Sequence, residues 1–164
     1  MNSLSIKPLE PLDLQGNRKN QKVYQVFLGS GNIVKFKNKR AAADFSAMVT
    51  KNINDFIRVS NILYADLFKI YRVQWPAMDL QTNNKLAGYV DNLNNLFCGV
   101  FNKSGAEIFT ICFAIYKALE AFIKLLTSYL TAKKNYPALY EVNAAAGYLN
   151  NNSMAIQIIK SHIK

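Results

Sequence analysis

The sequence contains almost no histidine and little cysteine, the side chains on which many metal and nucleophilic sites depend. His162 is the single histidine, which excludes His-based metal sites and His-dependent catalytic triads. Cys98 and Cys112 are the two cysteines, and neither belongs to a C-x-x-C or Cys/His cluster. Both occur in apolar segments, so we predict that both are small buried hydrophobic residues in a reducing, intracellular setting.

Acidic residues are also scarce. Ten Asp and Glu residues stand against twenty Lys and Arg residues, which gives a formal net charge of +10. The acidic residues are spread singly, no Ser or Cys has a nearby His, and no metal-ligand spacing occurs. Because catalysis needs converging reactive groups, we predict that the chain is not an enzyme and has no catalytic residue, no cofactor and no metal site.

The sequence lacks the third glycine of a nucleotide-binding loop. Gly29-Ser30-Gly31 is its only glycine-serine-glycine triplet, and Val34 stands where a dinucleotide loop has its third glycine. The Gly-Lys-Ser/Thr of a Walker loop is absent as well. Residues 29–32 are instead suited to the positive φ angles of a tight hairpin turn. We therefore predict a turn and not a phosphate-binding loop.

The first residues lack the apolar stretch of a signal peptide. MNSLSIKPLEPLDLQG has no hydrophobic region and includes Pro8 and Pro11, so we expect no secretion by a signal peptide and a mature chain that starts near Met1. We expect the protein inside the cell, or within a virion or another assembly. Residues 1–21 have no sustained hydrophobic period and are predicted to form an extended basic arm.

The sequence also lacks an uninterrupted hydrophobic run of membrane-spanning length. Residues 108–130 are long enough, but Lys117, Glu120 and Lys124 interrupt them. Each charge at mid-span costs about 2.5 to 3.5 kcal/mol on insertion scales. The three charges share one helical face, so we predict a central bundle helix with a narrow polar stripe and expect no membrane insertion.

Two periodic patterns predict the fold. Residues 22–37 alternate, with Tyr24 and Val26 on one face and Val34 and Phe36 after the turn, which predicts a β-hairpin. Residues 39–164 have helical spacing, with two long helices at 39–75 and 104–134 and shorter ones between and after them. We predict a mainly α protein: an extended N-terminal arm, then a single domain over 22–164 in which the hairpin precedes an elongated helical bundle.

Positive charge is concentrated near the N-terminus. Lys39 and Arg40 stand where the dipole of the first helix is already positive, which is unfavourable unless an anion lies nearby. The ligand could be nucleic-acid backbone, an acidic protein patch or anionic lipid; alternatively, the charges are solvated and protect the hairpin against edge-to-edge pairing. The candidate anion- or nucleic-acid-binding residues are Arg18, Lys19, Lys22, Lys35, Lys37, Lys39 and Arg40.

Codon bias offers another origin for the lysine excess. The chain is rich in Phe, Tyr, Ile, Asn and Lys, all encoded by AT-rich codons, which is typical of some bacteria, phages and protists. Lysine also outnumbers arginine, the residue favoured for specific contacts to phosphates and base edges. Any nucleic-acid contact is therefore predicted to be non-specific.

The order of a hairpin followed at once by a helix resembles the small strand-and-helix arm-binding modules of phage integrases. The likeness rests on Tyr24, Val26 and Leu28, then Val34 and Phe36, then Ala42, Ala43 and Phe45. The sequence departs from that pattern because Pro8 and Pro11 interrupt the only segment that could supply a third strand. No catalytic recombinase residues follow, and we assign the chain to no family.

Together these patterns indicate a non-enzymatic structural or accessory subunit of a larger assembly, such as a phage virion or an organellar complex. Its partners would be other protein subunits, in a homo- or hetero-oligomer, bound through the arm and helical faces. The aromatic residues at helix ends are the interface candidates, and these are Trp75, Tyr136, Tyr140 and Tyr148. The alternative is a non-specific DNA- or RNA-binding protein that uses the basic hairpin and the start of the first helix.

Overall fold

The computed structural model describes residues 6–9, 23–29, 32–102 and 107–153, and it confirms a mainly helical fold with a β-hairpin. In chain order the elements are β1 (Ile6–Leu9), β2 (Val23–Gly29), β3 (Asn32–Phe36), α1 (Lys39–Gln74), α2 (Leu80–Asn102), α3 (Glu107–Ala132) and α4 (Tyr136–Asn151). A single 3-10 turn, Trp75–Ala77, separates α1 from α2. The helix expected at the C-terminal end lies outside the described residues from residue 154 onward.

The strands form an antiparallel sheet in the order β1-β2-β3. The predicted hairpin pairs as far as Gly29 and Asn32, while the turn residues Ser30 and Gly31 lie outside the described residues. The expectation that no third strand precedes the hairpin is wrong, because β1 pairs with β2 and includes Pro8. Proline cannot donate a ladder hydrogen bond, but β1 is an edge strand, where that loss is tolerated.

One face of the sheet packs on the helices. Val26 is fully buried, and Tyr24, Val34 and Phe36 pack against the core. The ring of Phe36 also meets that of Phe45 on α1, with centroids 5.2 Å apart. This packing fixes the sheet beside the start of α1, so that the opposite sheet face is directed away from the core.

Helix α1 buries the apolar seam that its helical spacing predicts, which includes Val49, Ile53, Phe56 and Leu67. Asn38 caps it by accepting a hydrogen bond of 2.7 Å from the Arg40 backbone N–H, and Pro76 ends it in the 3-10 turn. With 36 residues it is by far the longest helix, whereas α3 has 26 and α2 has 23. The prediction of two long helices therefore matches only in part.

Helix α3 is the centre of the bundle, as its composition predicts, and it packs against β2, α1, α2 and α4. Its apolar face is buried, while Lys117, Glu120 and Lys124 remain exposed. The helix begins at Glu107, and the cap expected at Ser104 lies outside the described residues. Within the described residues, no helix has a stretch both long and apolar enough to cross the bilayer.

Hydrogen bonds from α1 hold α2, which is rich in asparagine and a poor helix former. The Tyr64 hydroxyl donates to Asn94 at 2.8 Å, and the Tyr71 hydroxyl donates to Asn83. At its start, Asp79 accepts from the Thr82 backbone N–H at 2.9 Å. The tertiary contacts thus supply the stability that the local sequence of α2 lacks.

Candidate docking groove and basic face

A groove of about 400 Å³ runs between α1 and α4. Two aromatic rings lie in its α4 wall, and both walls combine apolar and charged side chains. The residues that line it are Leu63, Asp66, Lys69, Ile70, Tyr140, Glu141, Ala144, Ala145 and Tyr148. Its floor is part of the hydrophobic core, since Leu63 and Ala145 are buried.

The sequence around residue 135 sets the position of α4. Lys134 adopts a left-handed conformation with φ 56°, which reverses the chain after α3. Asn135 then caps α4 by accepting a hydrogen bond from the Ala138 backbone N–H, and Pro137 occupies the first turn. The buried face of α4 consists of Val142, Ala145 and Leu149, so its tyrosines are directed outward.

The interface candidates are all exposed. Tyr140 and Tyr148 have 77% and 62% of their surface accessible, and the structure brings both into the groove. Tyr136 lies one helical turn before Tyr140 on the same stripe of α4. Trp75 is not in the groove; it stacks on Tyr71 at the end of α1, with ring centroids 5.9 Å apart.

Sequence reasoning missed the α1 wall of the groove. Asp66 and Lys69 belong to a stripe of alternating charge that predicts a solvated face with ion pairs three and four residues apart. Those pairs do not form within α1, which is described throughout. Asp66, Lys69 and Glu141 form no ion pair with any described residue, so three charged side chains line the groove beside aromatic rings without an ion-pair partner in the described part of the chain.

The second candidate surface, the basic face, comprises the outer face of the sheet and the first turn of α1. Lys35, Lys37, Lys39 and Arg40 are exposed there, and the first turn of α1 contains no acidic residue. In the strand register, Lys7 pairs with Gln25, which in turn pairs with Lys35. The other candidates, Arg18, Lys19 and Lys22, lie outside the described residues.

The reactive groups outside these surfaces are dispersed. Cys112 is fully buried as predicted, and its burial raises the pKa of the thiol to about 12. The matching prediction for Cys98 is wrong, because that residue is exposed on α2. Burial, and then the charge of Asp91, raise the pKa of both Tyr64 and Tyr71.

No three of the described His, Cys, Asp and Glu side chains converge in a way that could hold a metal ion. In comparisons with known proteins, no family model, curated protein or solved structure matches this chain. The physical properties of the two surfaces are therefore the basis for a functional assignment.

Proposed function

We propose that this chain is a non-enzymatic structural or accessory subunit of a larger assembly, such as a phage virion or an organellar complex, and that it docks through the α1/α4 groove. The observation that supports this proposal is the pair of exposed rings, Tyr140 and Tyr148, in a groove whose floor is continuous with the core. Tyrosines of this kind are enriched among the residues that dominate binding energy.

The shape of the helices also supports a docking role. At ~1.5 Å per residue, the 36 residues of α1 extend over about 54 Å, and we propose an elongated subunit organised along this helix. The groove lies in the second half of α1 and the basic face at its start. One subunit could therefore contact two neighbours without overlap between the two surfaces.

Loss of both tyrosines tests the docking function. The tagged Tyr140→Ala/Tyr148→Ala double variant, expressed in the source cells, should retain at least about 30-fold less of its partner subunit than the wild type, since removal of even one hot-spot side chain costs about 2 kcal/mol or more. Leu80→Ala, which removes an exposed side chain outside the groove, is the matched control. Equal retention by both variants and the wild type contradicts the proposal.

A second candidate function, non-specific binding of DNA or RNA, is favoured by one observation. Lys35 stands in register with Gln25 and Lys7 across the sheet, and the exposed Lys39 and Arg40 adjoin them at the helix start. Cations on a strand and at the positive end of a helix dipole suit the regularly spaced phosphates of a nucleic-acid strand. Affinity that falls steeply as salt rises is the expected signature.

A further inference from the structure

We infer that a second copy of this chain covers the α1/α4 groove, packed against it antiparallel about a two-fold axis. The inference rests on the proposed docking function and names its partner. In a two-fold interface the same patch serves both subunits, so each contact between two different positions occurs twice. A patch suited to this arrangement has complementary groups placed symmetrically about its centre, and two pairs of groove residues meet this requirement: the tyrosines of the α4 wall, and Asp66 with Lys69 of the α1 wall.

The α4 wall is symmetric about Ala144. Tyr140 and Tyr148 lie four residues to either side of it, and all three residues line the groove. An axis through Ala144 sets Tyr140 of one copy against Tyr148 of the other, in both directions. The small side chain at the centre permits close approach of the helices, while the two pairs of rings bury the largest area.

The charges of the α1 wall are complementary to themselves under a two-fold rotation. Asp66 and Lys69 lie one turn apart, both are exposed, and neither is paired among the described residues. In the antiparallel arrangement, Asp66 of each copy faces Lys69 of the other. Two ion pairs form in this way from side chains that have no ion-pair partner among the described residues of the single chain, and they fix the register of the helices.

The positive charge of the basic face does not oppose this pairing at the groove. At ~1.5 Å per residue, Lys39 lies about 43 Å along α1 from the midpoint of Asp66 and Lys69. Charges are largely screened beyond about 8 to 10 Å at physiological salt. The antiparallel arrangement also sends the two basic faces to opposite ends of the dimer, so both remain available for other ligands.

Charge exchange tests the arrangement. Light scattering over a concentration series should give a two-chain mass for the wild type. In Asp66→Lys the facing charges are all positive, and in Lys69→Asp they are all negative, so each variant should dissociate at about tenfold higher concentration or more. A mixture of the two variants, and the double exchange Asp66→Lys/Lys69→Asp, both restore opposite charges and should recover the two-chain mass.

Recovery of the two-chain mass in the mixture is the distinctive result, because binding to a different protein would not produce it. A single-chain mass of the wild type at every concentration overturns the inference, and so does a mixture no more associated than its components. If the mass is that of one chain but the double tyrosine variant loses another protein in cells, only the second-copy inference is wrong. If that variant loses nothing, the docking function is wrong as well.

Discussion

The Tyr64 hydroxyl on α1 donates a hydrogen bond of 2.8 Å to Oδ1 of Asn94 on α2. The same ring stacks on Phe97, with centroids 5.5 Å apart. One side chain thus secures the helix with the weakest helix-forming sequence to the longest helix. Because α2 contains several asparagines and two glycines, its stability should depend more on these contacts than that of its neighbours.

Removal of this hydroxyl should weaken the bundle. Tyr64→Phe keeps the ring stack but deletes the hydrogen bond, and we expect the free energy of unfolding to fall by about 0.5 to 1.5 kcal/mol in urea denaturation. Tyr136→Phe, which removes an exposed hydroxyl, should change stability by less than about 0.5 kcal/mol. Equal stability of the two variants would show that the Asn94 contact contributes nothing.

A substitution at Gly88 should stabilise α2 by raising its own helix propensity. A Cβ atom added there meets no atom within 4 Å beyond its chain neighbours and the backbone of its own helix, so Gly88→Ala should raise the free energy of unfolding by about 0.4 to 1 kcal/mol, because alanine loses less backbone entropy. The opposite change beside it, Ala87→Gly, should lower stability by at least as much. A loss of stability in Gly88→Ala would mean that α2 is not helical at this position.

The two cysteines should differ sharply in reactivity. Cys98 is exposed, whereas Cys112 is fully buried with a thiol pKa raised to about 12. At pH 8, a disulfide reagent should therefore modify one thiol per chain rapidly and the second only on unfolding. Cys98→Ser should abolish the fast phase, and Cys112→Ala should leave it. Two fast equivalents in the native protein would contradict the placement of α3.

The same pKa shift has a consequence for stability. Because the folded state favours the protonated Cys112 thiol, its stabilising contribution is complete below the ordinary thiol pKa of about 8.5. That contribution should be lost as the pH rises from there toward about 12. In Cys112→Ala, the fall in unfolding free energy over this pH range should be smaller than in the wild type.

The basic face should account for any binding of nucleic acid. Replacement of Lys35, Lys37, Lys39 and Arg40 by Gln should abolish salt-sensitive binding in a shift assay and reduce the slope of log affinity against log salt by about 0.9 for each lost contact to duplex phosphate. The control replaces four exposed cations elsewhere by Gln, namely Lys117, Lys124, Lys133 and Lys134. Equal loss in both variants would indicate a response to net charge alone.

The sequence predicts the helices and strands of this fold better than the contacts between them. The seam of α1 from Val49 to Leu67 and the polar stripe of α3 are periodic, so they are readable without a structure. Strand β1 was missed because Pro8 argues against a strand unless its edge position is known. Which strand lies beside β1 depends on the rest of the sheet. Its four residues, with Pro8 among them and Pro11 close behind, do not indicate that pairing.

Only the α4 wall of the groove could be predicted from the sequence. Tyr140 and Tyr148 are recognisable as aromatic residues at a spacing of two helical turns. Their position beside Asp66 and Lys69 in one groove depends on the packing of two helices far apart in sequence. The charges of α1 resemble those of any solvated helix face, and it is their position beside α4 that distinguishes them.

A photoreactive side chain placed at residue 140 tests the docking groove most directly. Irradiation of source cells should yield a protein–protein adduct at position 140, and none when the same group replaces Glu120 on the exposed polar stripe of α3. An adduct at residue 120 together with none at residue 140 would contradict the assignment of the α1/α4 groove as the surface through which this chain meets its neighbours.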